Sequence, residues 1–275
     1  MRFKVTGDHR KVLEKQKFIE FEDVFSLEEI EKVASHVDAV LAKRTKRLIE
    51  SQSCSELFHA GRDVWRDDPV LQQFICNRGL AQLTAQLFQQ NTLCLGFDQA
   101  LRTTTRPGFP NQVPASLQQK SCIQPLAGVV LIRLLGDWGD TDPLSLYSNN
   151  LKNREFDKKG PQNFYSERAT IAERQGASEN KNSEANLTQS KTDSSSCLSI
   201  LPKKRENAVL IAPSLIVPWE MFFQEPKRSF LMLGYAPAKA LYVSEKNDLN
   251  LHFLKKLGYV FGDHLNTNFH PLLYK

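Results

Sequence analysis

The residue of this sequence that points most clearly to chemistry is Arg228. It stands at the start of the apolar run Phe230–Gly234, and a second apolar run, Ala208–Ala212, lies upstream. Both runs are typical of short buried strands, so Arg228 is predicted to lie at the mouth of a sheet. A guanidinium in that position is suited to binding a small carboxylate, because its planar N–H groups match the two carboxylate oxygens.

The sequence upstream of Arg228 offers no histidine for a metal centre. Ile216-Val217-Pro218 occupies the stretch in which an acid-binding metal site would have one. Three histidines stand further on, in the C-terminal tail: His252, His264 and His270. Their spacing is wider than that of typical zinc or iron ligands. We therefore interpret them as surface or capping residues.

Composition narrows the function classes. The formal net charge of +5 is mild, and the basic residues are interspersed with acidic ones, so nucleic-acid binding is not expected. The five cysteines form no Cys-x-x-Cys pair, which predicts reduced and mostly buried thiols. The charged N-terminus predicts no secretory signal, and no apolar run is long enough to span a membrane. We therefore expect a cytoplasmic protein.

Helices are predicted in the first third of the chain. The alternating stretch Phe18–Phe25 reads as a short strand, and Ser26 with Glu29 forms a capping box that opens a helix after it. Asp68-Pro69 starts a second helical stretch, because proline is favoured at the first helical position. Asn77-Arg78-Gly79 is predicted to break that stretch into two.

Strands are predicted to follow the helices. Leu93–Leu101 and Leu126–Leu135 are apolar runs of strand length, and they precede the two runs near Arg228. A polar insertion, 137–206, separates the run that ends at Leu135 from the run that starts at Ala208. Within it, the segment 178–196 has too few apolar residues to offset the conformational entropy lost on ordering, so it is predicted to be disordered. Helices followed by strands indicate an α+β protein, with a β-sandwich or barrel and helices on its outside.

The order and spacing of several segments resemble the phytanoyl-CoA dioxygenase family of iron(II), 2-oxoglutarate-dependent oxygenases. The segments that carry the resemblance are FIEFEDVFSLEEIEKV, DDPVLQQFICNRGLAQLTAQLF, LCLGFDQAL and ENAVLIAPSLIV…EPKRSFLMLGYAPA. The resemblance implies an α+β fold with a mainly β core, namely a double-stranded β-helix (jelly-roll, cupin-like) barrel buttressed by N-terminal helices. It implies one domain, 1–275, with an N-terminal strand and helices in 1–92 and the first barrel strands in 93–136. The last barrel strands and a C-terminal tail lie in 207–275, after the insertion.

The resemblance also implies roles for individual residues. Arg228 matches the family arginine that pairs with the far carboxylate of 2-oxoglutarate, and strand alternation would turn it to the interior with Phe230 and Met232. Arg102 lies close to a position at which the family can carry a second cosubstrate-binding base. The family's iron ligands, however, have no counterparts. Val217 stands for the distal histidine, and the window 111–124, where the His-x-Asp pair belongs, holds neither histidine nor carboxylate.

Gln118 and Lys120 are the closest counterparts of the missing pair, and a lysine would put a cation where the iron should bind. We therefore expect no catalytic iron centre and no bound cofactor, but a cavity around Arg228 and Arg102 that takes a small carboxylate or contacts a protein partner. An alternative is an active dioxygenase that binds Fe(II) and 2-oxoglutarate with non-standard ligands, such as the tail histidines. A second alternative is a regulatory or nucleic-acid-binding protein.

Overall fold

The computed structural model describes residues 4–106, 115–136, 200–217, 222–223, 227–244, 248 and 251–275. Most of the insertion predicted at 137–206, including the segment 178–196 predicted to be disordered, lies outside these residues. The described part combines helices with antiparallel sheet, which agrees with the predicted α+β class. Within the described residues, no helix is long and apolar enough to cross a membrane.

Local signals in the sequence fix the main helices. Helix α2 is capped by Ser26, whose hydroxyl accepts from the backbone N–H of Glu29, while the Glu29 carboxylate accepts from the N–H of Ser26. Asp68 and Asn77 cap α4 and α5, so the predicted break between them is confirmed. The bounds are α1 Gly7–Gln16, α2 Leu27–Thr45, α3 Cys54–Ala60, α4 Pro69–Ile75, α5 Arg78–Leu87 and α6 Leu251–Lys256.

The described strands form two antiparallel sheets. Six of them lie in one sheet in the order β1-β5-β4-β6-β2-β8, and β3 pairs with β7 in a second sheet of two strands. Chain neighbours such as β4 and β5 are adjacent, but the late strand β6 inserts between β4 and β2. The bounds are β1 Phe18–Phe21, β2 Leu93–Arg102, β3 Ile123–Gln124, β4 Gly128–Leu135, β5 Ala208–Ile211, β6 Ser229–Ala236, β7 Leu241–Tyr242 and β8 Leu272–Tyr274.

Both faces of the large sheet are buried, but only one of them packs against the helices. One face packs with the helices in a single apolar core, to which β4 contributes Val130 and Ile132 and β6 contributes Leu231 and Leu233. Side chains alternate along a strand, so the residues between these point to the opposite face. We call that opposite face the inner face. It is also closed to solvent, since Leu131 and Met232 are fully buried there.

Three described helices were not predicted from the sequence. Helix α1 carries a capping box between Thr6 and His9, and α3 carries one between Ser53 and Glu56, so capping signals for both were present. The third, α6, lies in the region predicted to hold only strands and tail. The long strands were predicted closely, because their apolar runs are buried on both faces and need no alternation to be recognised.

Candidate functional site

Arg228 lies directly before β6 and is held there by Thr103. The backbone N–H of Thr103 donates to the Arg228 carbonyl at 2.9 Å, and the backbone N–H of Arg228 donates to Thr103 Oγ1 at 2.8 Å. Arg228 is 4% exposed. A Cβ added to Gly136, which follows β4, would lie 3.1 Å from Arg228 Cγ, so the side chain passes closely over that glycine.

The side chain of Arg228 belongs to the inner face. Ser229 pairs with Arg102 and with Leu135, which packs against the helical core, so the neighbouring Arg228 is on the other side of the strand. Phe230 follows on the inner face, where its ring meets that of Phe222 with centroids 5.5 Å apart. The placement of Arg228 on one face with Phe230 and Met232 is the one expected from strand alternation.

The segments that contain the positions predicted to replace the metal ligands pair with each other through their backbones. Ser116 and Ile216 form an antiparallel bridge, and the N–H of Leu117 donates to the Leu215 carbonyl at 3.2 Å. Gln118 and Lys120 therefore lie in a segment that runs beside the one containing Val217. Val217 is fully buried and Lys120 is 7% exposed. Two segments far apart in the sequence thus run antiparallel to each other at this point.

The side chain of Gln118 is hydrogen-bonded to the backbone that precedes β4. Its Oε1 accepts from the Leu126 N–H at 2.7 Å, and its Nε2 donates to the Ile123 carbonyl at 3.4 Å. These bonds close the turn that leads into β4. Because both ends of the amide bind the chain's own backbone, Gln118 fixes the local fold here.

The donor set at these positions does not fit iron. A non-haem iron site of this kind needs two histidines and one carboxylate on one face of the metal. Valine has no donor atom, and the ammonium group of Lys120 would repel a cation. Among the described residues, no group of three His, Cys, Asp or Glu side chains is placed to hold a metal ion.

One His-x-Asp sequence does occur in the chain, at His36-Val37-Asp38, and the structure gives its side chains other partners. Both residues lie on α2, in the helical layer. His36 Nδ1 is 2.8 Å from Asp68 Oδ2. Asp38 accepts from Arg102. The pair therefore links helices and sheet, away from the segment that contains Gln118.

Arg102 lies on the helix side of the sheet and contacts carboxylates of this chain. Its Nε donates to Asp38 Oδ1 at 3.1 Å, and its Nη2 lies 3.5 Å from Glu50 Oε1. Burial raises the pKa of Asp38, and the adjacent Arg102 guanidinium opposes that shift. The structure therefore does not bring Arg102 to the face that holds Arg228, and its predicted role in binding a cosubstrate stays a prediction.

Two further arginines of the inner face were missed by sequence reasoning. Arg133 lies in β4 opposite Phe230. Arg62 precedes α4, and its guanidinium carbon lies 4.1 Å from the ring centroid of Phe97. An added Cβ at Gly234 would overlap that ring, so Phe97 lies over the β6 backbone on the inner face. The sequence did contain a signal for Arg133, because it is a single charged residue within an otherwise apolar predicted strand.

The positive charge of the Arg62 guanidinium is partly balanced by the carboxylates of Asp248 and Asp63. Its Nη2 is 3.8 Å from Asp248 Oδ2, and the same carboxylate oxygen accepts from the N–H of Cys122 at 2.8 Å. Burial by itself lowers the pKa of Arg62, but the carboxylates of Asp248 and Asp63 raise it above its ordinary value. Arg62 is thus charged and tethered, and it ties the segment before β3 to the large sheet.

The tail histidines do not form a site with one another in the described residues. His264 is exposed, and the side chain of His252 lies outside the described part of the chain. His270 is buried, with Nδ1 at 3.1 Å from the Leu95 carbonyl, and burial lowers its pKa. The interpretation of His270 as a surface or capping residue was therefore wrong, because the tail folds back onto β2.

Comparison with known proteins identifies relatives of the fold only. No protein-family model and no curated protein matches the sequence. Among solved structures, the non-heme alpha ketoglutarate-dependent carbocyclase SnoK from nogalamycin biosynthesis superposes with a TM-score of 0.57 at 11% identity, covering 98% of this chain and 96% of that chain. The epimerase SnoN from the same biosynthesis, in a complex with Fe3+ and alpha ketoglutarate, gives 0.53 at 11% identity, with 97% of each chain covered. The chain therefore has a 2-oxoglutarate-oxygenase-like fold.

Proposed function

We propose that this protein binds a small carboxylate through Arg228 on the inner face of the large sheet, and that it does not catalyse iron-dependent oxygenation. The observation that carries the proposal is the contrast between two parts of one fold. The arginine is buried and anchored to Thr103. The positions that the family resemblance assigns to the iron ligands hold Gln118, Lys120 and Val217, whose side chains do not fit the metal.

The likeness to SnoN supports the carboxylate, since that protein is solved with alpha ketoglutarate bound. A buried guanidinium binds carboxylates strongly, because the interior offers little competing water and the N–H groups are already oriented. The environment of Arg228 adds to this orientation. Its backbone is held by Thr103, so less conformational entropy is lost when an anion binds.

The proposal includes the finer features of the family resemblance. The large sheet, the β3–β7 pair and the segments beside Val217 would form a double-stranded β-helix of the phytanoyl-CoA dioxygenase type. The protein would act in the cytoplasm without iron, with a small carboxylate or another protein as its partner.

The test is the binding of 2-oxoglutarate by calorimetry, in buffer containing EDTA so that free metal ions are removed. We expect wild-type protein to bind with a Kd of about 1 mM or tighter, and Arg228→Gln to weaken binding by at least about tenfold. Arg106→Gln is the matched control. Arg106 is an exposed arginine that donates to the Ser51 carbonyl, so its loss should leave the affinity unchanged.

Two results would overturn the proposal. The first is wild-type protein that binds neither 2-oxoglutarate nor a related diacid at millimolar concentration. The second is production of succinate from 2-oxoglutarate that depends on added Fe(II), which would establish an active oxygenase with other ligands. Retention on DNA that falls steeply with salt would favour a nucleic-acid-binding protein instead.

A further inference from the structure

We propose that this protein attaches to the surface of an anionic membrane through the turn 260–263, with Val260 and Phe261 entering the lipid and nearby lysines contacting the headgroups. The inference goes beyond carboxylate binding at Arg228 and does not depend on it. It starts from exposure, since Phe261 is 74% exposed and Val260 is 64% exposed. Single exposed apolar residues are normal on a protein surface, but these two are consecutive at the tip of one turn.

Hydrogen bonds close this turn. The N–H of Asp263 donates to the Val260 carbonyl at 3.1 Å, and the N–H of Val260 donates to Asp263 Oδ2 at 2.8 Å. Gly262 has a φ of +91°, which favours glycine at the third position of a tight turn. A Cβ added to Gly262 would meet no atom within 4 Å beyond its chain neighbours, so the tip faces open space. The exposure of the two apolar side chains is therefore built into the turn.

The residues on either side of the tip are packed into the protein. Tyr259 is buried, and its ring centroid lies 5.6 Å from that of His270 and 6.0 Å from that of Tyr242. The N–H of Gly262 donates to the Tyr242 carbonyl at 2.9 Å, and the N–H of Tyr242 donates to the Asp263 carbonyl at 2.8 Å. The turn is thus carried by β7 and the C-terminal tail. Inserting its tip into a membrane requires no rearrangement of that packing.

Lysines surround the turn. Among the described residues of 237–263, the exposed charged side chains are those of Lys239, Lys255 and Lys256. Lys255 and Lys256 end α6, a few residues before the tip. Lys239 lies in the loop between β6 and β7, and β7 is hydrogen-bonded to the turn. The lysines therefore approach the apolar tip from two segments of the chain.

The described carboxylates of the same region are less exposed than these lysines. Asp248 is buried, and its Oδ2 lies 3.8 Å from Arg62 Nη2. Asp263 is half-buried and accepts from the Val260 N–H within the turn. Positive charge therefore prevails on the described surface around the tip. The anionic surface of a membrane attracts each lysine that comes within a Debye length of it.

An apolar tip beside lysines matches a lipid surface better than a protein partner. Val260 and Phe261 together expose on the order of 200–300 Å², whereas each partner of a stable protein complex buries roughly 800 Å². A membrane needs no matching surface, because its headgroup boundary accepts apolar side chains and its anionic phosphates accept ammonium groups. Binding of this kind takes place at the surface and needs no spanning helix.

The test measures sedimentation of the full chain with two kinds of vesicle, without any carboxylate ligand. One kind contains phosphatidylcholine alone, and the other contains phosphatidylcholine and phosphatidylglycerol at about three to one. We expect wild-type protein to bind the anionic vesicles at least about tenfold more tightly than the neutral ones. This preference should shrink as salt is added, because salt screens the lysines from the headgroups.

Phe261→Ala tests the apolar contact and should weaken binding to anionic vesicles at least about tenfold. Leu48→Ala is the matched control, since Leu48 is 80% exposed and also follows basic residues, Lys46 and Arg47, but lies after α2. It should bind as wild type does. Both truncated side chains are exposed, so urea denaturation should give the same midpoint for both variants and wild type.

The double variant Lys255→Gln and Lys256→Gln tests the charges. It should weaken binding to anionic vesicles at least about fivefold and leave binding to neutral vesicles unchanged. Lys43→Gln together with Lys46→Gln is the matched control, because these exposed lysines lie at the end of α2. That control should keep the affinity of wild type for both kinds of vesicle.

Three results would overturn the proposal. Wild-type protein that binds neither kind of vesicle is the first, and Phe261→Ala that binds anionic vesicles as tightly as wild type is the second. The third is a wild-type dimer that Phe261→Ala converts to a monomer in lipid-free sedimentation velocity, which would identify a second copy of this chain as the partner. Arg228→Gln should bind vesicles as wild type does, so the function proposed for Arg228 stands or fails separately.

Discussion

Thr103 and Arg228 are joined by three hydrogen bonds that use both the backbone and one side chain. Thr103 N–H donates to the Arg228 carbonyl at 2.9 Å, Arg228 N–H donates to Thr103 Oγ1 at 2.8 Å, and the Thr103 hydroxyl donates to the Arg228 carbonyl at 3.2 Å. The pair extends the β2–β6 ladder by one step beyond its last strand pair, Arg102 and Ser229. Thr103, the residue after β2, thereby positions Arg228, the residue before β6.

Thr103→Val is expected to lower stability and to weaken carboxylate binding. The Arg228 N–H would remain buried without its acceptor, which costs about 1–3 kcal/mol. Chemical denaturation measures the stability, and calorimetry with 2-oxoglutarate measures the affinity. Thr104→Val is the matched control, since Thr104 is also buried but donates to the Gln52 carbonyl at 2.8 Å. It should lose stability and keep the affinity. Equal affinities in both variants would show that Thr103 does not position Arg228.

Arg102→Gln is expected to reduce stability by about 2 kcal/mol and to leave 2-oxoglutarate binding unchanged. The reason is that Arg102 faces the helices and binds Asp38 there. A double-mutant cycle with Asp38→Asn measures the coupling free energy of this pair, which should account for most of the loss. If Arg102→Gln instead weakens 2-oxoglutarate binding, the role that the family resemblance assigns to Arg102 is correct.

Asp98 is expected to make stability depend on pH. Its carboxylate accepts from the N–H groups of Val64 and Trp65, and burial together with the neighbouring Asp63 raises the pKa of Asp98 to about 8. Between about pH 4 and pH 8 the folded protein keeps a proton that the unfolded chain has released. The free energy of unfolding should therefore fall as pH rises through this window, by at most about 1.4 kcal/mol per pH unit. Below about pH 4 both the folded and the unfolded chain carry the proton, so Asp98 should cause no further pH dependence there.

Asp98→Asn tests this dependence. The amide keeps an oxygen to accept from Val64 and carries no ionisable proton. Urea denaturation of the variant at intervals from pH 4 to pH 8 should show a flatter profile than wild type. A slope that is unchanged in the variant would mean that another buried group holds the proton.

Introducing metal ligands at the three positions that the family resemblance assigns to the iron site is expected to create metal binding. The backbone contacts between Ser116 and Ile216 place the two ligand segments side by side. We therefore expect the combined variant Gln118→His, Lys120→Asp and Val217→His to bind Ni2+ or Fe2+ at one ion per chain, measured by elemental analysis after anaerobic dialysis. The same variant without Val217→His is the control and should bind more weakly. One equivalent of tightly bound iron in wild-type protein would contradict the proposal that this protein has no iron centre.

Helices and strands of this chain follow from local signals where those signals are strong. Ser26 with Glu29, and Asp68 with Pro69, predicted the starts of α2 and α4, because a cap satisfies N–H groups within a few residues. The short helix α3 was missed although Ser53 and Glu56 form the same capping box. A helix of this length is stabilised mainly by tertiary packing, and the fully buried Leu57 supplies part of it.

The sequence by itself determined five of the described strands, namely β1, β2, β4, β5 and β6, since these depend on residue type and apolar pattern. It also determined that Arg228 lies directly before one of them and that the side chain of Val217 cannot bind iron. The short strands β3, β7 and β8 were not predicted, because two or three residues carry too little pattern. Only the tertiary structure decided which face each arginine occupies. Alternation separates two faces but does not say which one the helices cover, and the irregularities between Leu95 and Phe97 and between Arg133 and Leu135 shift the count. Arg102 consequently binds Asp38 among the helices, while Arg133 and Arg228 lie on the opposite, inner face.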